Sequence, residues 1–559
     1  MDVGETQKKL SRWAEQDRTH RFYDLYHLLY QDDWIRTAQK HVRPNAGSRT
    51  AGCDGVTMRD FEKDREGNLY RLRKTLTEER FEPQPVRRTY IQEVKAGGRI
   101  KLRPLGIPDI CDRIVQEALR MVLEPIWEAD FCRHSYGFRP NRSTKDAVAY
   151  IGSRLTASKS TCYGWIVEGD IQSFFDTIDH YKLMQLMRRR IKDEKILSMI
   201  WNFLRAGVME QGNFRHSLLG TPQGGIVSPL LANIYLHELD RYMECYTTLG
   251  KQERERRKRR GSANFLYARY ADDFVVLCDG GKEQAEALRE ELHEFLKVEL
   301  KLELSMEKTK VTHGSEGLEF LGFLIDRGVT GSGKWAPRVR IPAKAVEKVR
   351  GKLRAALAPN TYKDSVRTKI LGLHRIIGGW CRYYQTTSSP SRVFGKLRYE
   401  VFWMMAHWIG RKEDMSTPRV MRKYRKGDTF GTFRATLQMP SEFTATPPRR
   451  RAITKPYISE HVKIQREDLD SLGEEWTGTE NMKGQGDRKG VVYQRNQGLC
   501  GICGNFIPWE EAEMDHIIAR FRFEPPESGD RWENLWILHR DPCHLMQTKR
   551  DLQSGRRVR

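Results

Sequence analysis

Hydrophobic and polar positions divide the chain into stretches of different period. Over residues 1–85 apolar side chains recur at helical spacing: Phe22, Leu25, Tyr26, Leu28 and Leu29 form a stripe that Trp34 and Ile35 extend. A loop from Gly47 to Gly55 and a helix-like stretch from Met58 to Glu79 complete this region. From Arg87 the period shortens. Arg87–Ile91, a turn at Ala96-Gly97-Gly98 and Arg99–Pro108 predict a hairpin, with Arg99, Lys101 and Arg103 alternating onto one face. A helix carrying Asp112, Arg113, Val115 and Leu119 follows, then a Ser135–Pro140 loop and a helix capped near Ser143.

Trp165–Asp170 reads as an apolar strand ending in an acid, after which Asp176 and Asp179 suit helix N-termini. Gly220–Gly225 must be irregular; Ser228 can cap and Pro229 open an amphipathic helix to about Tyr242. Lys251–Arg260 is taken as a basic loop, with a solvated charged face as the alternative. Phe265–Tyr267 and Phe274–Leu277 flank Tyr270-Ala271-Asp272-Asp273 as two strands around a hairpin turn. A helix from Lys282 to about Leu300, strand-like Leu302–Ser305 and Leu318–Phe323, and helices over 340–412 follow. Residues 411–455 hold 12 Lys or Arg against 4 acids and predict a basic, partly irregular surface. The polar, Gly-rich stretch 464–490 reads as a linker.

Composition narrows the class. At 559 residues the chain exceeds one core, and 39% hydrophobic residues with 13 Trp, 21 Tyr and 22 Phe argue for folded domains. A net charge of +23 points to a polyanionic partner, nucleic acid or an anionic surface. No apolar run is long enough to span a membrane, and the N-terminus lacks a signal-peptide profile, so an intracellular protein is expected. Cys53, Cys111, Cys132, Cys162, Cys245, Cys278 and Cys381 are scattered and read as core thiols. Cys500-Gly501-Ile502-Cys503 and Cys543 cluster near the C-terminus, which suggests metal ligation in a reducing compartment.

Two adjacent acids in an apolar hairpin are costly unless they are exposed at a turn or neutralised by a cation. Both readings stand for Asp272 and Asp273 alone. With Asp170 on a second strand, three carboxylates could hold two metal ions about 4 Å apart for phosphoryl transfer. The cationic hairpin would then face a triphosphate.

Several of these segments together resemble a group II intron-encoded reverse transcriptase–maturase. They are Arg103–Pro108, Gly137–Pro140, Asp170–Asp179, Thr221–Gly225 with Ser228–Asn233, Tyr270–Asp273 and Phe320–Phe323. The resemblance implies an α+β multidomain protein. It would hold a right-hand polymerase with fingers and palm over 86–335, behind the helical extension 1–85. An α-helical thumb or maturase (X) domain over 336–430 and a basic DNA-binding segment with linker over 431–490 would follow. It also implies that Asp170, Asp272 and Asp273 hold two catalytic Mg²⁺. Lys95 and Arg103 would meet the incoming triphosphate, Gln223 and Ile171 line the nucleotide site, and Phe175 gate the ribose 2′-hydroxyl. The partners implied are intron RNA, target double-stranded DNA, an RNA template–DNA primer duplex and dNTPs. The setting implied is a bacterial-type cytoplasm, with an organelle left open and no membrane partner. A maturase whose polymerase has decayed, and a reverse transcriptase of another retroelement, are the alternatives.

Near the C-terminus, Cys500-x-x-Cys503 and His539-x-x-x-Cys543 have the spacing of a closed tetrahedral zinc site. With Met514-Asp515-His516, Asn534 and His544, residues 491–559 resemble an HNH endonuclease of the ββα-metal type. The resemblance implies that Asp515 and His544 bind a catalytic divalent metal, His516 acts as general base and Asn534 orients it. The second zinc pair departs from the usual Cys-x-x-Cys. A zinc ribbon that only binds DNA is the alternative.

Overall fold

The computed structural model describes residues 2–94, 100–155, 163–210, 213–215, 220, 224–329, 335–446, 456–457, 492, 496, 499–503, 507, 512–516 and 535–539. The chain divides into two compact units, Met1–Arg451 and Ala452–Arg559. That division falls inside the segment expected to be a basic stretch and linker.

In the first unit the Ile110–Glu128 helix is buried almost all round, as a core helix must be when apolar residues cover more than one stripe. Helices Val3–Gln16 and Asp32–Val42 pack on it. Trp34 is fully buried there, and its indole N–H donates to the Ala118 carbonyl at 3.1 Å. The expected Met58–Glu79 helix is three pieces: Met58–Phe61, a 3₁₀ turn Glu62–Asp64, and Arg65–Thr77. Thr57 and Asp64 cap the first and last, which is why the chain re-nucleates instead of running through.

Val86–Val94 pairs antiparallel with Ile100–Ile107, as the hairpin pattern required. Its other edge runs parallel to Val208–Glu210, which pairs with Asn213–Arg215. A second four-stranded sheet has the order Phe265–Tyr270, Asp273–Cys278, Trp165–Asp170, Lys310–His313, antiparallel throughout. Helices Ser228–Thr247 and Lys282–Leu300 bury their apolar faces in the core that this sheet shares with the central helix. A three-stranded sheet joins Leu318–Phe320, Phe323–Val329 and Trp335–Arg340. Helices Ala343–Ala356, Val366–Tyr384, Pro390–Lys412 and Thr417–Tyr424 complete the unit.

Four expectations need correction. Lys251–Arg259 is a helix, because Lys, Arg, Gln and Glu are good helix formers and Arg256 pairs with Glu253 one turn back. Leu318–Phe323 is two strands, reversed at Leu321 and Gly322, whose φ values are 49° and 75°. Leu302–Ser305 makes only an isolated bridge, Leu304 to Ile171. Ser228 is the first helical residue and not the cap; Val227 takes that place without a side-chain bond. Of the scattered cysteines, Cys53 and Cys245 are exposed, while Cys132, Cys278 and Cys381 are buried; Cys162 lies outside the described residues. No helix among the described residues is long and apolar enough to cross a membrane.

Trp34 ties the N-terminal helices to the central one. Trp34→Ala should lower the stability of the first unit by about 3–5 kcal/mol, read as an earlier first transition in a urea titration.

Candidate active site

Strands Trp165–Asp170 and Asp273–Cys278 are in register with Asp170 directly opposite Asp273. Directly opposed residues of an antiparallel pair share a face, so both carboxyls project to the same side. Asp272 occupies the two-residue turn between Tyr270 and Asp273. The alternation that would separate neighbours on one strand does not apply, because only Asp273 is on the strand.

This turn needs outside support. Its first residue, Ala271, sits at φ 58°, left-handed backbone that a side chain disfavours. Support comes from Arg269, which is fully buried and pairs with the equally buried Asp240. Its five N–H donors all find acceptors. Nε and one Nη2 bond reach Asp240 at 2.7 and 2.6 Å; Nη2 also reaches Ser135 Oγ at 2.9 Å. Nη1 donates to Asn233 Oδ1 at 3.0 Å and to the Ala271 carbonyl at 2.8 Å. Tyr267 donates its hydroxyl to Asp240, and Asn233 donates its amide to the Gly137 carbonyl. Gly137 has to be glycine: a Cβ there would lie 2.3 Å from the Ala271 nitrogen. A buried ion pair stabilises only when its remaining donors and lone pairs are met, and this one is saturated.

The carboxyls are left electrostatically frustrated. Burial raises Asp272, with Asp170 adding to the effect and Arg103 opposing it. Asp273 is pushed up to about 6 by the surrounding protein, then by Asp272 and Asp170, against Lys308. Its side chain is still exposed at the strand end, so water screens part of that repulsion. Lys308 meets Asp170 Oδ2 at 2.5 Å. Asp272 and Asp273, both raised, stand with Asp170 at one sheet end and fit a cation-binding cluster, since a divalent ion relieves what protons otherwise relieve.

Phe175 is half-buried, its ring against Phe174 at 5.3 Å and against Phe138 at 6.5 Å. Phe138 is exposed, with φ 56°. Sequence reasoning gave it no role, although it lies within a matched motif. The Ile171 side chain is buried in the core, so a role in contacting a nucleotide would have to fall to its backbone. Gly224 lies so close to the Gly106 carbonyl that a Cβ would stand 2.2 Å from it, which brings the Gly-rich loop against the hairpin bearing Arg103. Lys95, Arg99 and Gln223 lie outside the described residues, as do Asn534, Cys543 and His544. Arg269, Asp240, Asn233 and Ser135 were missed as site residues. The available signal was Arg269, a lone cation inside the apolar strand Phe265–Tyr270.

In the second unit, Cys500, Cys503 and His539 bring their ligand atoms within 4.8 Å of one another. They form the one such set of three among the described residues; the three aspartates do not converge as tightly. Cys503 Sγ stands 3.4 Å from His539 Nδ1. Burial raises the Cys500 thiol, but the amides of Cys503, His539 and Ile502 outweigh it and hold the thiol below its usual range. Two sulfurs and an imidazole are a donor set that suits zinc. Gly501 fits between them because a Cβ would stand 2.3 Å from the Trp536 ring. Strands Ala512–His516 and Leu535–His539 pair with Ala512 opposite His539 and His516 opposite Leu535. The cysteine–histidine cluster and the Asp515-His516 pair therefore mark opposite ends of one hairpin.

The Asp273 shift sets a pH dependence for the metal-free protein. Its folded value, about 6, exceeds the unfolded 3.8, so its protonated form contributes stability at low pH that is lost as pH rises through that window. Asp273→Asn should gain stability relative to wild type across the same window. Paired urea titrations in chelator would read this as a growing midpoint difference; a difference independent of pH contradicts the shift.

The reverse transcriptase (RNA-dependent DNA polymerase) family matches residues 94–325, and the group II intron maturase-specific domain matches 346–427. Among curated proteins, the chain is 39% identical to Protein YkfC of Escherichia coli over 373 residues, 64% of this chain and 97% of that protein. It is 34% identical to the group II intron-encoded protein LtrA of Lactococcus lactis over 379 residues, 60% of this chain and 61% of LtrA. A putative COX1/OXI3 intron 2 protein of Saccharomyces cerevisiae is 26% identical over 463 residues, 70% of this chain and 52% of that protein. The matched regions contain the Asp170–Asp273 cluster and the helices behind it, and the chain belongs to the group II intron reverse transcriptase–maturase family.

Proposed function

We propose that the protein copies intron RNA into DNA at the Asp170, Asp272 and Asp273 cluster, assists splicing of that RNA, and nicks target DNA to make the primer. The register that sets Asp170 against Asp273, with Asp272 at the adjoining turn, carries the polymerase reading. Mg²⁺ ions held by these three residues would lower the pKa of a primer 3′-hydroxyl and neutralise the triphosphate. Arg103 and Lys95 donate to the triphosphate, Gln223 lines the nucleotide site, and Ile171 contributes through its backbone. Phe175, braced by Phe174 and Phe138, excludes a ribose 2′-hydroxyl. Residues 1–85 and 86–335 form the extended fingers and the palm, 336–430 the thumb that grips template–primer duplex and intron RNA. Residues 431–490 make the basic DNA contact. The protein works in a bacterial-type cytoplasm as a ribonucleoprotein.

The 491–559 segment is the endonuclease in this reading. Cys500, Cys503, His539 and Cys543 hold a structural Zn²⁺, while Asp515 and His544 hold the catalytic divalent metal. His516 takes the proton from the attacking water, with Asn534 orienting the imidazole. Placing the zinc set at one end of the hairpin and Asp515-His516 at the other supports a division between a structural and a reacting end.

Asp272→Asn should abolish primer extension on an RNA template and leave splicing largely intact. Equal loss of both would make Asp272 a structural acid, and a wild-type protein that splices without extending any primer would replace the polymerase with an RNA chaperone. Cys500→Ser should lose about one zinc per chain and strand nicking together, while extension of a pre-made primer persists. Wild-type nicking by the zinc-free variant would overturn the module.

A further inference from the structure

Two buried polar side chains outside the carboxylate cluster hold the two ends of the Gly-rich loop. At its start, His180 Nε2 lies 2.6 Å from the Gly220 carbonyl, and the Gly220 amide donates to the Ile178 carbonyl at 2.8 Å. A carbonyl only accepts, so His180 carries its proton on Nε2. Burial lowers the His180 pKa, which keeps the ring neutral near pH 7. At the far end, the Ile226 amide donates to Gln116 Oε1 at 2.7 Å. His180 is 3% exposed and Gln116 4%, and they come from different elements, the His180–Met187 helix and the Ile110–Glu128 helix.

What lies between these anchors gives them consequence. Gly220 has φ 86° and is pressed on the short helix that carries Phe175; a Cβ would stand 2.8 Å from the Phe175 carbonyl. Gly224 presses on the Gly106 backbone of the Arg103 hairpin. The start of the loop is therefore packed against the helix bearing Phe175 and its end against the hairpin bearing Arg103. A buried Nε2–H or amide left without its partner costs more than the bond itself contributes, so each anchor has one well-defined state.

We propose that His180 and Gln116 are positioning residues for nucleotide selection, setting the Gly-rich loop against the sugar side and the triphosphate side of the incoming nucleotide. The proposal rests on the polymerase reading above. His180 acts on sugar choice through Gly220 and Phe175, whereas Gln116 acts on nucleotide affinity alone.

Single-nucleotide extension of a DNA primer on an RNA template, with full-length protein and Mg²⁺, tests it. His180→Leu should raise the dNTP KM roughly tenfold, the size of one buried hydrogen bond, with a smaller change in kcat. It should also narrow the preference for dNTP over rNTP, leave template–primer affinity unchanged, and be largely rescued by His180→Gln, which keeps a donor. Gln116→Met, nearly isosteric, should raise KM similarly without changing sugar preference, and it decides the matter if His180→Leu does not fold. Unchanged KM in folded variants, or a fall in kcat with KM and sugar preference intact, overturns the proposal. A wild-type protein that extends no primer would instead remove the polymerase reading beneath it.

Discussion

The Ala271–Asp272 turn depends on a guanidinium that no solvent reaches. Left-handed backbone at an alanine, inside a two-residue hairpin, is not a conformation that the chain adopts for local reasons. Arg269 holds the Ala271 carbonyl from below while Asp240 neutralises it, and Gly137 closes over the turn from the other side. An unpaired buried charge costs several kcal/mol on the order of the whole stability margin, so the network forms completely or the hairpin does not close. That all-or-none character places Asp272 beside Asp273 and keeps both at one end of the sheet.

Once the turn is set, electrostatics governs the cluster. Three carboxyls share one sheet end, and the structure answers with two cations of different reach. Lys308 bonds directly to Asp170, whereas Arg103 draws Asp272 down through space. Lys308 is exposed, so its pairing with Asp170 is worth little against water. Asp273 is pushed up by burial and by both neighbouring acids, so a cation beside it would relieve that repulsion.

Much of this was legible in the sequence because its signals are local. An acid closing an apolar strand marked Asp170, paired acids between two apolar runs marked the hairpin, and helix-start acids were read correctly at Asp176 and Asp179. The helix at Lys282–Leu300 followed from its period. What escaped was set by partners far along the chain. Arg269 meets Asp240 at a separation of 29 residues and Ser135 at 134, and no window of sequence contains both ends of such bonds. The Lys251–Arg259 run failed for a different reason. Its density of charge was read as a basic loop, while helix propensity and the acids spaced one turn from the cations decided the outcome. At the Leu321–Gly322 turn the apolar neighbours hid a reversal that only the backbone shows.

That reversal also bears on how separable the polymerase and the maturase-specific region are. Tyr383 donates its hydroxyl to the Leu321 carbonyl at 2.7 Å, and Tyr384 donates to the Gly322 carbonyl at 3.1 Å. Phe323 is stacked on Tyr383 at 5.0 Å and edge-on to Tyr384 at 5.3 Å. Both carbonyls belong to a turn with positive φ, where no strand partner is available to them, so the helix Val366–Tyr384 supplies it. Losing one hydroxyl would remove a hydrogen bond worth about 0.5–1.5 kcal/mol, since water can reach the half-exposed turn. The turn joins strands of the sheet that follows the catalytic one, so a substitution in this helix is felt on the polymerase side as well. Two family domains that match separate stretches of the chain are therefore one mechanical body where these tyrosines meet the turn.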